Sequence, residues 1–258
     1  MALEQGPGGT ESVEARAGFN PPGDEPLLRV RDLNVAYGKR QVLAGVAINV
    51  QPGEVVALLG HNGAGKTTLL KAIFGLLPIQ VGTVHFLGVD VTHQESADHV
   101  QAGLSFTPAE SAVFRDLNVR DNLELGAFSV PARELRARRI EKVYELFPML
   151  RSRQHQEAGT LSGGQQRMLS IGIALMAGPR LMLLDEPSLG LTPALSQQML
   201  EAVKKLSTDE QLGVLLVEQN VRAALRVADR AYFMRTGRIL LEEPADVALA
   251  RGKWWDLF

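Results

Sequence analysis

The chain of 258 residues contains no cysteine, which excludes a disulfide framework and is in keeping with a reducing compartment. A core of the size this length permits needs no such staple. Membrane-spanning runs are lacking as well, since even the stretch from Ile171 to Leu184 is broken by Pro179 and Arg180. If the protein works at a membrane, other chains must cross it. An excess of charge is also missing. With 27 basic and 29 acidic residues the formal net charge is −2, so there is no basic footprint that would suit nucleic acid. Residues 1–26 have no apolar centre of the kind a signal peptide requires. They carry five glycines, four prolines, five acidic residues and a single base, Arg16, which is the composition of a disordered tail.

What is present begins at Leu27 with short alternating segments, Leu28-Arg29-Val30, Leu33-Asn34-Val35 and Val42 to Val50, which predict antiparallel strands. The apolar run Val55 to Leu59 then leads into Gly60-His61-Asn62-Gly63-Ala64-Gly65-Lys66-Thr67-Thr68 and the helix-like Leu69 to Phe74. Strand, glycine-rich turn and helix in that order form a nucleotide-binding P-loop. The glycines let the backbone approach a polyphosphate, whose charge faces loop N–H groups and the positive end of the helix. Lys66 is expected to reach the outer phosphates and the Thr67 hydroxyl to ligate Mg²⁺. Tyr37, shortly before this loop, either stacks on an adenine or is a half-buried strand tyrosine; the sequence leaves both open.

Gly82 to Val91 reads as a strand pair turning at Gly88. From about residue 94 to residue 160 the pattern predicts an inserted helical subdomain, in which Leu135, Val143, Leu146 and Phe147 line one helix face. Arg133, Arg136, Arg138, Arg139 and Lys142 alternate with Glu134 and Glu141 there, as on a solvated face. After Leu161-Ser162-Gly163-Gly164-Gln165-Gln166 comes a helix, then the short apolar strand Leu181 to Leu184 ending in Asp185-Glu186. The C-terminal end of such a strand is where parallel sheets hold ligands. Two adjacent carboxylates there repel each other and add nothing to packing, so a metal and a substrate are the better explanation. Thr192 and Pro193 open a further helix, Val214 to Val217 forms another buried strand ending in Glu218-Gln219-Asn220, and Ala231 to Leu241 reads as a hairpin around Thr236-Gly237. Trp254 and Trp255 are expected to pack the C-terminus onto its own domain.

Together the P-loop, the Leu161 to Gln166 stretch and the Asp185-Glu186 pair resemble the ATP-binding cassette family over nearly everything after the tail. The resemblance implies an α/β fold: a P-loop NTPase (RecA-like) core with an N-terminal antiparallel β subdomain and an inserted α-helical subdomain. It places the ATPase domain at residues 27–243 and a C-terminal helical tail at 244–258. It also implies that ATP lies between the P-loop of one cassette, residues Gly60 to Thr68, and Ser162, Gly163, Gly164 and Gln165 of another. Asp185 resembles the carboxylate that holds Mg²⁺ with Thr67, and Glu186 the general base. Gln219 stands where cassettes usually place a histidine that contacts the γ-phosphate; with Lys66 and Glu186 it completes the expected catalytic set. In Phe106-Thr107-Pro108-Ala109-Glu110, Ala109 stands where most cassettes have a glutamine.

The ending Val217-Glu218-Gln219-Asn220, with Ser188-Leu189-Gly190-Leu191 and with Val113-Phe114 before Asn118-Val119, is similar to the ATP-binding subunits of branched-chain amino acid importers and their urea and amide relatives. That resemblance implies an ATP-hydrolysing subunit peripheral to the cytoplasmic face of the cell membrane. Its implied partners are a second, related cassette, two membrane permeases and, indirectly, an extracytoplasmic substrate-binding protein, with no nucleic acid. Two other readings remain: a soluble mechanical cassette, or a degenerate regulatory one that hardly hydrolyses ATP.

Overall fold

The computed structural model describes residues 25–110, 112–251 and Trp254. The expected tail, apart from Glu25 and Pro26, and Trp255 lie outside the described residues. Two sheets organise the molecule. Alternating apolar residues over Leu28–Tyr37 (β1) and Arg40–Val50 (β2) build the first, an antiparallel sheet completed by Val81–Phe86 (β4) and Val89–Asp90 (β5) in the order β2-β1-β4-β5. The second sheet starts from Val55–Leu59 (β3), whose five residues are all buried, as expected of a strand covered on both faces.

Lys66–Ile73 (α1) follows β3, and Ser96–Ala102 (α2) leads into Leu104–Thr107 (β6). A chain of short helices then crosses the inserted region: Val119–Gly126 (α3), Arg133–Leu146 (α4) and Pro148–Ser152 (α5). Gly163–Met176 (α6) returns to Leu181–Asp185 (β7); Pro193–Glu210 (α7) leads to Gly213–Val217 (β8), and Val221–Val227 (α8) to the hairpin Arg230–Arg235 (β9) and Arg238–Pro244 (β10), closed by Ala245–Arg251 (α9). The resulting order is β10-β9-β3-β8-β7-β6, parallel except for β10.

Period-2 alternation divides the core between the faces of this sheet. Val56, Leu58, Leu183, Leu215 and Val217 pack with α1 and the antiparallel sheet. Val55, Ala57, Leu59, Leu184 and Leu216 pack with the helices of the other side, α3, α4, α6, α7 and α8. The register matters for function: Leu58 pairs with Val217 and Asp185 pairs with Val217, so the P-loop, the acidic pair and Glu218-Gln219 all leave the sheet at the same edge.

The stretch from 94 to 160 is not helical throughout. Leu104–Thr107 is a parallel edge strand of the core sheet, pairing Phe106 with Leu183, so the helices of the insertion follow it. On α4 the buried residues are Ile140, Val143 and Tyr144, with Phe147 just beyond, whereas Leu135 is exposed. Positions 140, 143, 144 and 147 follow the i, i+3, i+4, i+7 arc; residue 135 falls opposite residue 144. Trp254 does pack inward: its indole N–H donates to the Ala248 carbonyl at 2.6 Å, and Arg222 lies over its ring at 5.5 Å. Among the described residues no helix is long and apolar enough to cross a membrane.

Candidate nucleotide site

The loop after β3 reaches α1 through Gly65, whose φ of 108° is closed to side-chain-bearing residues and where an added Cβ would come within 2.8 Å of Leu43. No side chain caps α1, so its first N–H groups stay open toward the cleft in front of them. That cleft, about 670 Å³ and open to solvent, is lined by Tyr37, Asn62, Gly63, Gly65, Lys66, Thr67, Thr68, Glu186 and Gln219. Tyr37 sits at the end of β1, half exposed, on the cleft wall. Gly60, His61 and Ala64 complete the loop behind this lining; Ala64 is buried and its carbonyl accepts the Gly237 N–H at 2.8 Å.

Lys66 is buried, with Nζ donating to the carbonyls of Gly60 at 2.7 Å and His61 at 3.0 Å. Burial lowers its pKa, and the carboxylates of Glu186 and Asp185 act in the opposite sense. Asp185 ends β7 fully enclosed. Burial raises its pKa, while a hydrogen bond from the Thr67 side chain favours the carboxylate. Its Oδ1 is buried without a hydrogen-bond partner. A buried anionic acceptor left open beside a hydroxyl suits a hard divalent cation. No cluster of three or more His, Cys, Asp or Glu exists among the described residues, so the protein alone offers no closed cage. Thr67 and Asp185 therefore fit Mg²⁺, which keeps several waters and is shared with substrate phosphates.

Glu186 adopts φ 47°, a left-handed conformation uncommon for a residue with a side chain. Its N–H is held by the Val217 carbonyl at 2.8 Å. The Gln219 amide donates to both carboxylate oxygens of Glu186, at 3.3 and 3.2 Å, and to Asn62 Oδ1 at 3.2 Å. Gln219 thus touches a P-loop residue and Glu186 at once.

Ser162, Gly163, Gly164 and Gln165 do not line this cleft. They form the N-terminus of α6, where a reciprocal capping box pairs Ser162 Oγ with the Gln165 N–H and Gln165 Oε1 with the Ser162 N–H at 3.0 Å. Ser162 and Gly163 are exposed and Gly164 is half-buried, and the first N–H groups of a helix have no acceptor within it. Ala109 is half-buried and Glu110 exposed; neither lines the cleft.

Three residues of the site were not anticipated. Arg40, in β2 opposite Tyr37, lines the cleft. Arg167 on α6 is buried, donates to the Pro108 carbonyl at 3.0 Å and lies in the field of Glu218, Asp185 and Glu186. Glu218 is buried and accepts the Ser188 N–H at 2.9 Å. For Glu218 a signal existed, a charge set directly after an otherwise apolar run.

The family model for the ABC transporter matches residues 43–189 of the chain. This chain belongs to that family. The cassette is 40% identical to the high-affinity branched-chain amino acid transport ATP-binding protein BraG of Pseudomonas aeruginosa over 90% of its own length and 99% of the relative's. It is 35% identical to the probable branched-chain amino acid transport ATP-binding protein LivF of Archaeoglobus fulgidus, over 88% of the chain and 96% of that protein. An ATP-binding cassette of an ABC transporter, solved in its ADP conformation, superposes with a TM-score of 0.81 at 28% identity, covering 91% of this chain and 98% of that one. The fold is thus that of the P-loop ATPase cassettes, and the enzymatic activity is ATP hydrolysis.

Proposed function

We propose that this cassette powers an importer of branched-chain amino acids or related small polar solutes, acting from the cytoplasmic face of the membrane beneath separate permease subunits. The observation that carries the reading is the separation within one chain of a P-loop cleft lined by Lys66, Thr67, Glu186 and Gln219, with Asp185 beside it, from the helix N-terminus at Ser162 to Gly164, where Ser162 and Gly163 are exposed. Each half needs its complement from a second cassette. The solute class is supported by the likeness to BraG and LivF over nearly their whole length.

In this assignment Tyr37 stacks on the adenine and the N–H groups from Gly63 to Thr68 hold the phosphates. Lys66 reaches the outermost phosphates, Thr67 and Asp185 hold Mg²⁺, and Ser162, Gly163 and Gly164 of the other cassette close over the γ-phosphate. Mg²⁺, when bound, neutralises charge on the phosphate oxygens. Glu186 takes a proton from the attacking water, oriented by the Gln219 amide. Binding energy closes the pair and hydrolysis releases it. The permease faces the insertion, where Phe128 is 88% exposed at the end of α3 and Leu125 and Phe114 are also exposed.

Two measurements test this. Lys66→Ala removes a charged hydrogen-bond donor to phosphate, which contributes about 1.5–3 kcal/mol, so ATP affinity should fall roughly 10–150-fold; unchanged affinity removes Lys66 from the site. Tagged protein taken from its own host in mild detergent should bring two permeases and a related cassette with it. Recovery of the cassette without any membrane protein would argue against import.

A further inference from the structure

Glu218 is an awkward residue for its position. It directly follows a strand whose five residues are all buried, and it is 2% exposed itself. Burial pushes its pKa up and the neighbouring Glu186 carboxylate adds to that. A carboxylate so placed costs stability unless its oxygens are used. They are used: Oε1 accepts the Ser188 N–H at 2.9 Å, and the Ser188 side chain also hydrogen-bonds the carboxylate.

Three consecutive residues at the end of β8 therefore grip the segment that follows β7. The Val217 carbonyl takes the N–H of Glu186, Glu218 takes that of Ser188, and Gln219 donates to the Glu186 carboxylate. Between them Glu186 is held at φ 47°, a strained conformation that persists only where its surroundings impose it. The held loop continues to Leu191, whose N–H bonds the Ser188 carbonyl at 3.1 Å. Leu191 lies so close to Gly164 that a Cβ there would sit 2.8 Å from it. The same anchor thus sets the loop against the start of α6.

We propose that Glu218 is a positioning residue for hydrolysis, fixing the Glu186 turn through Ser188 by the geometry of its acceptor oxygen rather than by its charge. It rests on Glu186 being the base, and Glu186→Gln serves as the control for that assignment.

Two substitutions separate geometry from charge. Glu218→Asp keeps the charge but draws the acceptor back by one methylene, whereas Glu218→Gln keeps an acceptor oxygen in place without the charge. The full-length chain, with the partners it retains on purification, is assayed for kcat, ATP affinity and Tm. Misplacement of a catalytic group by about 1 Å can lower a rate by as much as 10²-fold. We expect Glu218→Asp to lower kcat roughly tenfold or more, with ATP affinity within about twofold of wild type, and Glu218→Gln to stay within about threefold of wild-type kcat. Any other pattern overturns the proposal: both variants active, both slow, or the glutamine variant slow and the aspartate variant active. If Glu186→Gln itself turns over at the wild-type rate, the base assignment falls first, independently of the Glu218 result.

Discussion

Glu186→Gln is expected to lower the ATPase rate by roughly 10²–10⁴-fold, or about 2.7–5.4 kcal/mol of barrier, while ATP still binds. The substitution is nearly isosteric, and a side-chain oxygen remains to accept from the Gln219 amide, which now approaches the carboxylate at 3.2 Å. The backbone contact from Glu186 N–H to Val217 does not involve the side chain at all. What is lost is the capacity to accept a proton from water at the moment of attack. In the proposed assignment ATP affinity rests on other groups, the loop N–H groups and Lys66, so equilibrium binding of ATP should stay within a few-fold of wild type. The decisive comparison is single-turnover hydrolysis against nucleotide affinity on the same preparation. A variant that hydrolyses ATP at the wild-type rate would remove Glu186 from its role and leave Asp185 or Glu218 as the remaining carboxylates near the cleft.

The parts of this site that follow one another in the chain were legible in advance. Val55 to Leu59, the glycine loop and α1 are adjacent, so strand, turn and helix could be read from local pattern alone. Leu161 to Gln166 is likewise one contiguous stretch, within which Ser162 and Gln165 of the capping box stand three positions apart. The contacts that join the separate parts of the site are of a different kind. Gln219 meets Glu186 across 33 residues and Asn62 across 157, and no spacing rule connects such positions. They are created by the sheet order, in which β8 lies between β3 and β7. Leu104–Thr107 was missed for a related reason. Four residues with only Leu104 and Thr107 buried carry too little pattern, and their identity as a strand comes from pairing with β7. Glu218 was legible in principle, because a carboxylate directly after a buried apolar strand is the same signal that marked Asp185. Arg40 carried no such signal, since an exposed arginine beside a hairpin turn is ordinary.

Replacing Arg230 by methionine is expected to be the most destabilising change outside the site. Arg230 is 5% exposed at the start of β9, and its guanidinium makes six hydrogen bonds to four residues, two of them to Asn49. It pairs with Glu54 through two bonds, at 2.8 and 2.9 Å, and with Glu242; it also donates to the Tyr232 hydroxyl at 2.6 Å and to Asn49. Removing the cation leaves two enclosed carboxylates facing each other, the case in which breaking a buried pair costs about 3–5 kcal/mol. Glu54 and Glu242 keep 15% and 17% of their side-chain surface exposed, so water relieves part of the penalty and the lower end, about 3 kcal/mol, applies. At roughly 2–4 °C per kcal/mol for a chain of this size, Tm should fall by about 6–12 °C. Glu242→Gln should cost much less, since Arg230 keeps its two bonds to Glu54.

The consequence reaches the nucleotide loop through the hairpin. Val56 of the strand that carries the loop pairs with Arg230, and the β9–β10 turn docks on the loop through Gly237, which donates to Ala64 at 2.8 Å and accepts from Ala44 at 2.9 Å. A hairpin loosened at Arg230 therefore also loosens the wall against which the loop is shaped. ATP, which binds only the folded cassette, should recover part of the lost Tm as its concentration rises above Kd. A methionine variant that melts at the wild-type temperature would show that the network is already water-compensated and that hydrophobic packing alone holds this edge of the sheet.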